Sequence, residues 1–240
     1  MPEPAVRKGT HVVIGGFQKF SLADFPGKIS AIVFTRGCNF RCPYCHNPEL
    51  VDPARYTAEI PQEEVLRFLG LRRGLLQGVV VTGGEPTLHA DLPLFLSGIR
   101  ALGFAVKLDT NGSNPDVLQG LIRNSLVDYI AMDIKAPLDA YSRVAGVPVR
   151  AEDIERSVRL VIGSGLSHEF RTTYEGSLLS IQDMESIAEM ARGCAQYVVQ
   201  SFRPSGALDP AMRSIARPDR ASLQVIRKLM ETAGLPVLLR

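Results

Sequence analysis

Short apolar runs rich in β-branched residues alternate along the chain with longer segments whose apolar positions recur every three or four residues. The runs Ile29–Phe34, Val79–Thr82, Ala105–Asp109, Tyr129–Ile134, Glu169–Thr173 and Tyr197–Phe202 read as strands. Most are continuously apolar, the pattern of parallel strands covered on both faces. Between them, Pro61-Gln62-Glu63-Glu64 opens a helix with Pro and acids in its first turn, followed by Val65, Leu66 and Leu69 on one face. Leu92–Leu102, Pro115–Ile122, Ile154–Ile162, Asp183–Met190 and Asp219–Thr232 are the further helices. Gly103, Gly163 and Gly234 stand where left-handed C-cap residues would end three of them. Strand–helix alternation of this kind predicts an α/β fold with a parallel sheet. Six units are fewer than the eight of a closed barrel, so the expected architecture is a partial, open (β/α)6 barrel of parallel strands.

The first 28 residues do not fit the repeat. His11–Ile14, Gly15-Gly16 and Phe17–Phe20 suggest a short N-terminal hairpin or extended cap. Ala207–Arg217 is polar and irregular and reads as a surface loop. No fixed-period repeat, low-complexity tract or linker stands out. The expectation is one domain over residues 1–240, with a cap at 1–28, a barrel core at 29–204 and a C-terminal loop and helix at 205–240.

Composition narrows the partners. A chain of 240 residues, 45% hydrophobic, can bury a sizeable core. Its net charge of +2, from 27 basic and 25 acidic residues, is too balanced to make nucleic acid the main partner. The basic pairs Arg72-Arg73 and Arg227-Lys228 read as solvated helix faces. No window approaches the roughly 18 uninterrupted apolar residues of a membrane helix. Met1–Gly16 has an early basic pair, Arg7-Lys8, but lacks the apolar core of a secretory signal. No membrane partner is expected, and the location reads as cytoplasmic.

Three of the four cysteines fall within eight residues, Cys38 to Cys45. In a cytosolic chain such clustering points to metal or redox chemistry rather than to disulfides. Cys194 lies far away in an apolar-patterned stretch and reads as a small buried hydrophobe. The loop Cys38-Asn39-Phe40-Arg41-Cys42-Pro43-Tyr44-Cys45 follows directly on the first core strand. Three thiolates can converge on one inorganic centre. A cubane cluster has four irons, so three cysteines leave one iron without a protein ligand. An open iron suits a catalyst, whereas an electron carrier fills all four positions. The competing reading is structural zinc with His46 as fourth ligand. Against it, Cys45 and His46 are adjacent, and neighbouring side chains rarely reach one tetrahedral ion together.

Further candidates sit at the C-terminal ends of the predicted strands, where functional groups of a parallel barrel gather. Thr82-Gly83-Gly84-Glu85-Pro86 ends the second. Its glycines would let backbone approach a ligand closely, and Glu85 can accept from an ammonium group. Lys107-Leu108-Asp109-Thr110-Asn111-Gly112 ends the third, and is otherwise an Asn-Gly turn with a capping acid. Met132-Asp133-Ile134-Lys135 ends the fourth, and is otherwise a surface ion pair of little worth. Arg171 and the Gln200-Ser201-Phe202-Arg203-Pro204 segment end the last two, facing either solvent or a ligand.

The C-x3-C-x2-C loop, with an aromatic residue before its last cysteine, resembles that of the radical S-adenosylmethionine (SAM) superfamily. The resemblance runs from about Ile14 to Phe202. It implies a [4Fe-4S] cluster held by Cys38, Cys42 and Cys45, whose open iron binds the methionine amino and carboxylate groups. One electron then cleaves SAM to methionine and a 5′-deoxyadenosyl radical, which abstracts hydrogen from a substrate. Tyr44 should lie beside the adenine. Gly83, Gly84 and Glu85 resemble the element that holds the methionine amino group. Asp109-Thr110-Asn111 and Asp133-x-Lys135 resemble elements of the glycyl-radical-enzyme activases that flank the cofactor. There the two acids and Thr110 would help bind a monovalent cation, and Lys135 would reach the methionine carboxylate or ribose.

Two segments narrow the resemblance. Gly15 to Lys28 and Cys45-His46-Asn47-Pro48-Glu49-Leu50 are similar to the activating proteins of anaerobic ribonucleoside-triphosphate reductase. The latter is also similar to the pyruvate formate-lyase activases. Some activases carry an inserted ferredoxin-like domain, but Asn47–Gln62 contains no cysteine for a second cluster. The implied reaction takes a Cα hydrogen from a glycine of a large partner enzyme, fed by a one-electron donor such as flavodoxin or ferredoxin. The alternatives are a small-molecule enzyme like the 7-carboxy-7-deazaguanine synthases, and a non-catalytic electron-transfer or structural metal protein.

Overall fold

The computed structural model describes residues 11–240. The Arg7-Lys8 pair, and most of the stretch read for a signal, lie outside the described residues. One sheet of eight strands runs in chain order, β1 (Ile14–Ser21), β2 (Ser30–Thr35), β3 (Gly78–Gly83), β4 (Ala105–Thr110), β5 (Tyr129–Asp133), β6 (Ser167–Tyr174), β7 (Tyr197–Ser201) and β8 (Val237–Leu239). β1 pairs antiparallel with β2, and every later pairing is parallel. β1 and β8 are the two edges, so the sheet is open, as the α/β pattern predicts. The helices are α1 (Pro48–Val51), α2 (Gln62–Gly70), α3 (Leu92–Ala101), α4 (Pro115–Arg123), α5 (Tyr141–Ala145), α6 (Ala151–Gly163), α7 (Ile181–Met190) and α8 (Arg220–Thr232).

The six expected strands correspond to β2–β7, and the structure adds to them at both ends. β1 is a single strand that contains Gly15-Gly16 at a register shift, so the glycine pair does not turn the chain. A Cβ on Gly15 would stand 2.6 Å from Leu50 Cδ2, which is why a small residue is needed there. The hairpin turn comes later, where Lys28 N–H donates to Phe25 O and Gly27 takes a φ of 71°. At the other end, Val237–Leu239 forms β8 beside β7, a strand too short to read from pattern. Gly103 and Gly234 are left-handed as expected, but Gly163 closes α6 in helical geometry and Gly165 takes the positive φ.

The two faces of the sheet differ. Val33, Val81, Val106, Leu108, Ile130, Met132 and Phe170 pack outward with α3, α4, α6 and α7 in the main core. Phe25, Ile32 and Val80 form a small separate cluster, with Phe34, Ala105 and Tyr129 packed against it. Alternation along a strand puts Lys107 and Asp109, Tyr129 and Asp133, and Glu169 and Arg171 on that same inner side. The inner face is therefore apolar beside Ile32 and Val80 and charged on β4–β6. Covering both faces with apolar residues, the reading of the continuous runs, holds for β2 and β3 but not for β4–β6.

Candidate active site

The cysteine loop leaves β2 and is tied down from four directions. Glu85 N–H donates to Gly37 O at 2.8 Å, from the end of β3. Asn111 Nδ2 donates to Asn39 Oδ1 and Asn39 Nδ2 to Ser113 Oγ, both at 2.9 Å, from the end of β4. Arg41 N–H donates to Ala145 O at 2.8 Å, where α5 ends in left-handed Gly146. Leu208 and Asp209 N–H donate to Cys45 O and Pro43 O, each at 2.9 Å. The stretch Ala207–Arg217 is thus no free surface loop. Ala207 and Met212 are buried, a short 3-10 turn spans Pro210–Ser214, and the backbone just before it is bonded to the cysteine loop.

Gly83 and Gly84 explain how β3 comes so near. A Cβ on Gly84 would lie 1.9 Å from Gly37 O, and one on Gly83 would lie 2.4 Å from Thr35 N and O. The glycines let backbone approach the chain's own cysteine loop, and both also line the cavity beside it.

Of the twelve residues singled out from sequence, all but Glu85 line one cavity of about 240 Å³ at the C-terminal ends of β2–β5. Thr173, Gln200, His46 and Arg171 are also in its wall. Glu85 is fully buried beside it. Its Oε1 accepts from Thr87 N–H (3.1 Å), Thr87 Oγ1 (2.5 Å) and Thr110 Oγ1 (2.7 Å), and its Oε2 from Asn111 N–H (2.6 Å). Burial pushes the carboxyl pKa up, and these hydrogen bonds pull against it. The side chain ties the end of β3 to the end of β4, so the ammonium-accepting role read from sequence is not open to a carboxylate so enclosed.

The charged side chains form a continuous ladder across β4, β5 and β6. Lys107 Nζ lies 2.6 Å from Asp109 Oδ1, and Arg171 Nη1 lies 2.9 Å from Asp109 Oδ2. Arg171 Nε lies 2.8 Å from Asp133 Oδ1, and Lys135 Nζ 3.4 Å from Asp133 Oδ2. Burial pushes Asp109 up, but Arg171 and Lys107 outweigh it and hold the group at about 2. Asp133 is lowered in the same way, burial being outweighed by Arg171 and Lys135. Where the resemblance implies a monovalent cation beside Asp109, Asp133 and Thr110, the structure puts the Arg171 guanidinium between the carboxylates and turns the Thr110 hydroxyl to Glu85.

Lys135 Nζ also stands 5.9 Å from the centre of the buried Tyr44 ring. Burial works to lower the Lys135 pKa, but Tyr44, Cys42 and Asp133 raise it well above the usual lysine value. Tyr141, missed from sequence, is fully buried and holds this strand end. Its hydroxyl donates to Asp133 O (3.2 Å) and accepts from Lys135 N–H (3.3 Å). No local motif marks it.

The three cysteines share the wall of one cavity. Among the described residues, no three His, Cys, Asp or Glu side chains group closely enough to hold a single metal ion. A cubane takes each thiolate on a different iron, so its ligands need not close on a point. Burial pushes Cys38 up to about 12 as a free thiol and raises Cys42 and Cys45, while Lys135 pulls all three down. Thiolates in this cavity therefore need a cationic centre bound to them. His46, the zinc reading's fourth ligand, lines the cavity but has its ring engaged elsewhere. Its ring stacks on Phe202 at 5.9 Å and its Nε2 lies 2.7 Å from Arg203 O. Arg203 itself is exposed. Cys194 is buried in the main core, as expected.

A family model described as the radical SAM superfamily matches residues 32–193. A protein of Methanocaldococcus jannaschii assigned as a glycyl-radical enzyme activating enzyme is 31% identical, over 90% of this chain and 91% of its own. A pyruvate formate-lyase-activating enzyme of Clostridium pasteurianum is 26% identical, over 91% and 96%. A domain of the pyruvate-formate lyase-activating enzyme from Bacteroides vulgatus superposes with a TM-score of 0.57 at 18% identity, covering 68% of this chain and 99% of that one, a likeness of fold. No described helix is long and apolar enough to cross a membrane.

Proposed function

The chain belongs to the radical SAM superfamily and to its glycyl-radical-enzyme activating branch, and on that premise we propose that it makes a radical on one glycine of a partner enzyme. The observation that carries this reading is the convergence of Cys38, Cys42 and Cys45 with Tyr44, Asp109, Asp133 and Lys135 on a single cavity. Cys38, Cys42 and Cys45 would hold a four-iron cluster, and the cavity beside them would take SAM. Together these groups, when bound, supply one-electron chemistry and the hydrogen-abstracting radical.

The chain's own residues bind, orient and exclude water. Lys135 presents an ammonium held protonated by its neighbours, suited to a carboxylate or a ribose oxygen. Tyr44 offers a buried aromatic ring beside it, suited to an adenine. Gly83 and the backbone around it offer carbonyls at the cavity wall for an ammonium group, a role Glu85 supports only by fixing that turn. Asn111 Nδ2 lies 3.9 Å from Cys38 Sγ and Phe40 N–H 3.4 Å, donors that favour thiolate over thiol.

The partner we favour is an anaerobic ribonucleoside-triphosphate reductase. Support comes from the Gly15 to Lys28 segment and the Cys45-His46-Asn47 tail. Electron paramagnetic resonance tests it, with reduced protein, SAM and the candidate reductase mixed without oxygen. A carbon-centred doublet, abolished when the partner's glycine is changed to alanine, is expected. SAM consumption with no such signal in any glycyl radical enzyme of the same genome would overturn the activase reading in favour of a small-molecule substrate.

A further inference from the structure

Arg171, left by the sequence to face either solvent or a ligand, lines the cavity. Its side chain is 13% exposed. The parallel register sets Arg171 directly opposite Asp133 across β5–β6, and Asp109 lies one strand further on β4. The guanidinium spans the two, donating Nη1–H to Asp109 and Nε–H to Asp133. Each carboxylate spends its other oxygen on a lysine, Lys107 or Lys135. All four carboxylate oxygens thus face a cation that the chain itself provides.

The neighbouring charges close the account. Glu169 lies 3.8 Å from Arg171 Nη1 and 3.4 Å from Arg240 Nη2. Four cations (Lys107, Lys135, Arg171, Arg240) against three carboxylates (Asp109, Asp133, Glu169) leave the cluster formally at +1. Without Arg171 the sum is zero, and the two aspartates face each other across the gap that the guanidinium fills. Such a pair either takes up a proton or recruits a small cation. An arginine does neither, because it never loses its proton and its planar fork fits two acceptors at once.

We propose that Arg171 is a positioning residue that acts as the permanent counter-cation of the Asp109–Asp133 pair, so that this chain binds SAM without a monovalent metal ion. The guanidinium fixes both carboxylates, and through Asp133 it fixes the direction of the Lys135 ammonium. The inference rests on the reading of the cavity as the SAM site.

The test is a titration of SAM into the reconstituted, reduced protein, followed by the change in the cluster's paramagnetic resonance spectrum. It is run in potassium, sodium and tetramethylammonium chloride at equal ionic strength. The wild-type affinity should agree within about twofold in all three salts. Arg171→Ala should bind at least about tenfold more weakly in tetramethylammonium, the loss expected for charge-assisted bonds, and should recover in potassium or sodium. Arg171→Lys, which keeps the charge, should stay insensitive to the salt. A cluster-free readout accompanies it. Potassium or sodium should raise the melting temperature of Arg171→Ala relative to tetramethylammonium, and leave that of the wild type unmoved. A wild-type affinity that rises about tenfold with potassium or sodium overturns the proposal. So does Arg171→Ala binding SAM as the wild type does in every salt. Should Arg171→Ala fail to fold, the wild-type series and Arg171→Lys decide alone. A reduced cluster whose spectrum ignores SAM in every salt would instead sink the cofactor reading of the cavity.

Discussion

Replacing Glu85 separates a ligand contact from a structural tie. The carboxylate accepts four hydrogen bonds and is fully buried. Glu85→Gln keeps a carbonyl oxygen for the three donors now at Oε1. Its amide group must then meet Asn111 N–H, donor against donor, which leaves a buried group unpaired at about 1–3 kcal/mol. Glu85→Ala orphans all four donors and opens a void. The effects are not additive, since water enters the space, and about 3–5 kcal/mol is expected. At roughly 2–4 °C per kcal/mol for a chain of this size, Glu85→Gln should melt roughly 2–12 °C lower and Glu85→Ala roughly 6–20 °C lower. Thermal and urea unfolding of the cluster-free protein, followed by circular dichroism, measures both. Melting of both variants within about 1 °C of the wild type would refute the reasoning, because a side chain waiting for a ligand contributes nothing to the empty fold.

Alanine at Cys38, Cys42 or Cys45 should abolish a four-iron cluster that Cys194→Ala retains, as iron and sulfide counts after anaerobic reconstitution will show. Lys135→Ala should keep the cluster but weaken SAM binding by roughly 10- to 150-fold, the range for a lost charge-assisted hydrogen bond, read by titration of the reduced protein. Gly84→Ala would force its Cβ against Gly37 O, so it should lower cluster content by displacing the cysteine loop. Asp109, normally near 3.8, is held at about 2 in the fold, a depression worth about 2 kcal/mol at 1.36 kcal/mol per pH unit. That stability is present above the unfolded value and is lost as the pH falls through about 2. Urea midpoints of the wild type should therefore drop more steeply between pH 4 and 2 than those of Asp109→Asn.

The order of strands and helices was legible because β2–β7 are each five to eight residues long and separated by well-patterned helices. The site was legible because its parts are runs of adjacent residues at strand ends, and such runs survive in one dimension. What needed three dimensions was pairing. Arg171 is a lone arginine until the β5–β6 register sets it against Asp133. Gly83-Gly84-Glu85 reads the same whether it faces a ligand or its own chain, and only the structure shows that Gly84 packs on Gly37 O too closely for any Cβ. Leu208 and Asp209 hold the cysteine loop through backbone N–H groups, which leave no mark on side-chain choice. The polar inner face of β4–β6 could have been seen in the alternation Lys107, Asp109 and Glu169, Arg171, had the short apolar stretches not outweighed it.

The bonds from Leu208 and Asp209 to the cysteine loop also set a clock. From Cys45 to Leu208 is 163 positions (208 minus 45) along the chain. A ribosome adding about 5–20 residues per second takes roughly 8–33 s to cover them. Through that interval the nascent cysteine loop lacks its last backbone tie, though β2 and its first neighbours have emerged. Iron and sulfide delivered in that window meet a loop not yet tied to Leu208 and Asp209; delivered later, they meet one already held by the chain's own far segment. The order of synthesis thus sets how long the cysteine loop waits for its last backbone tie.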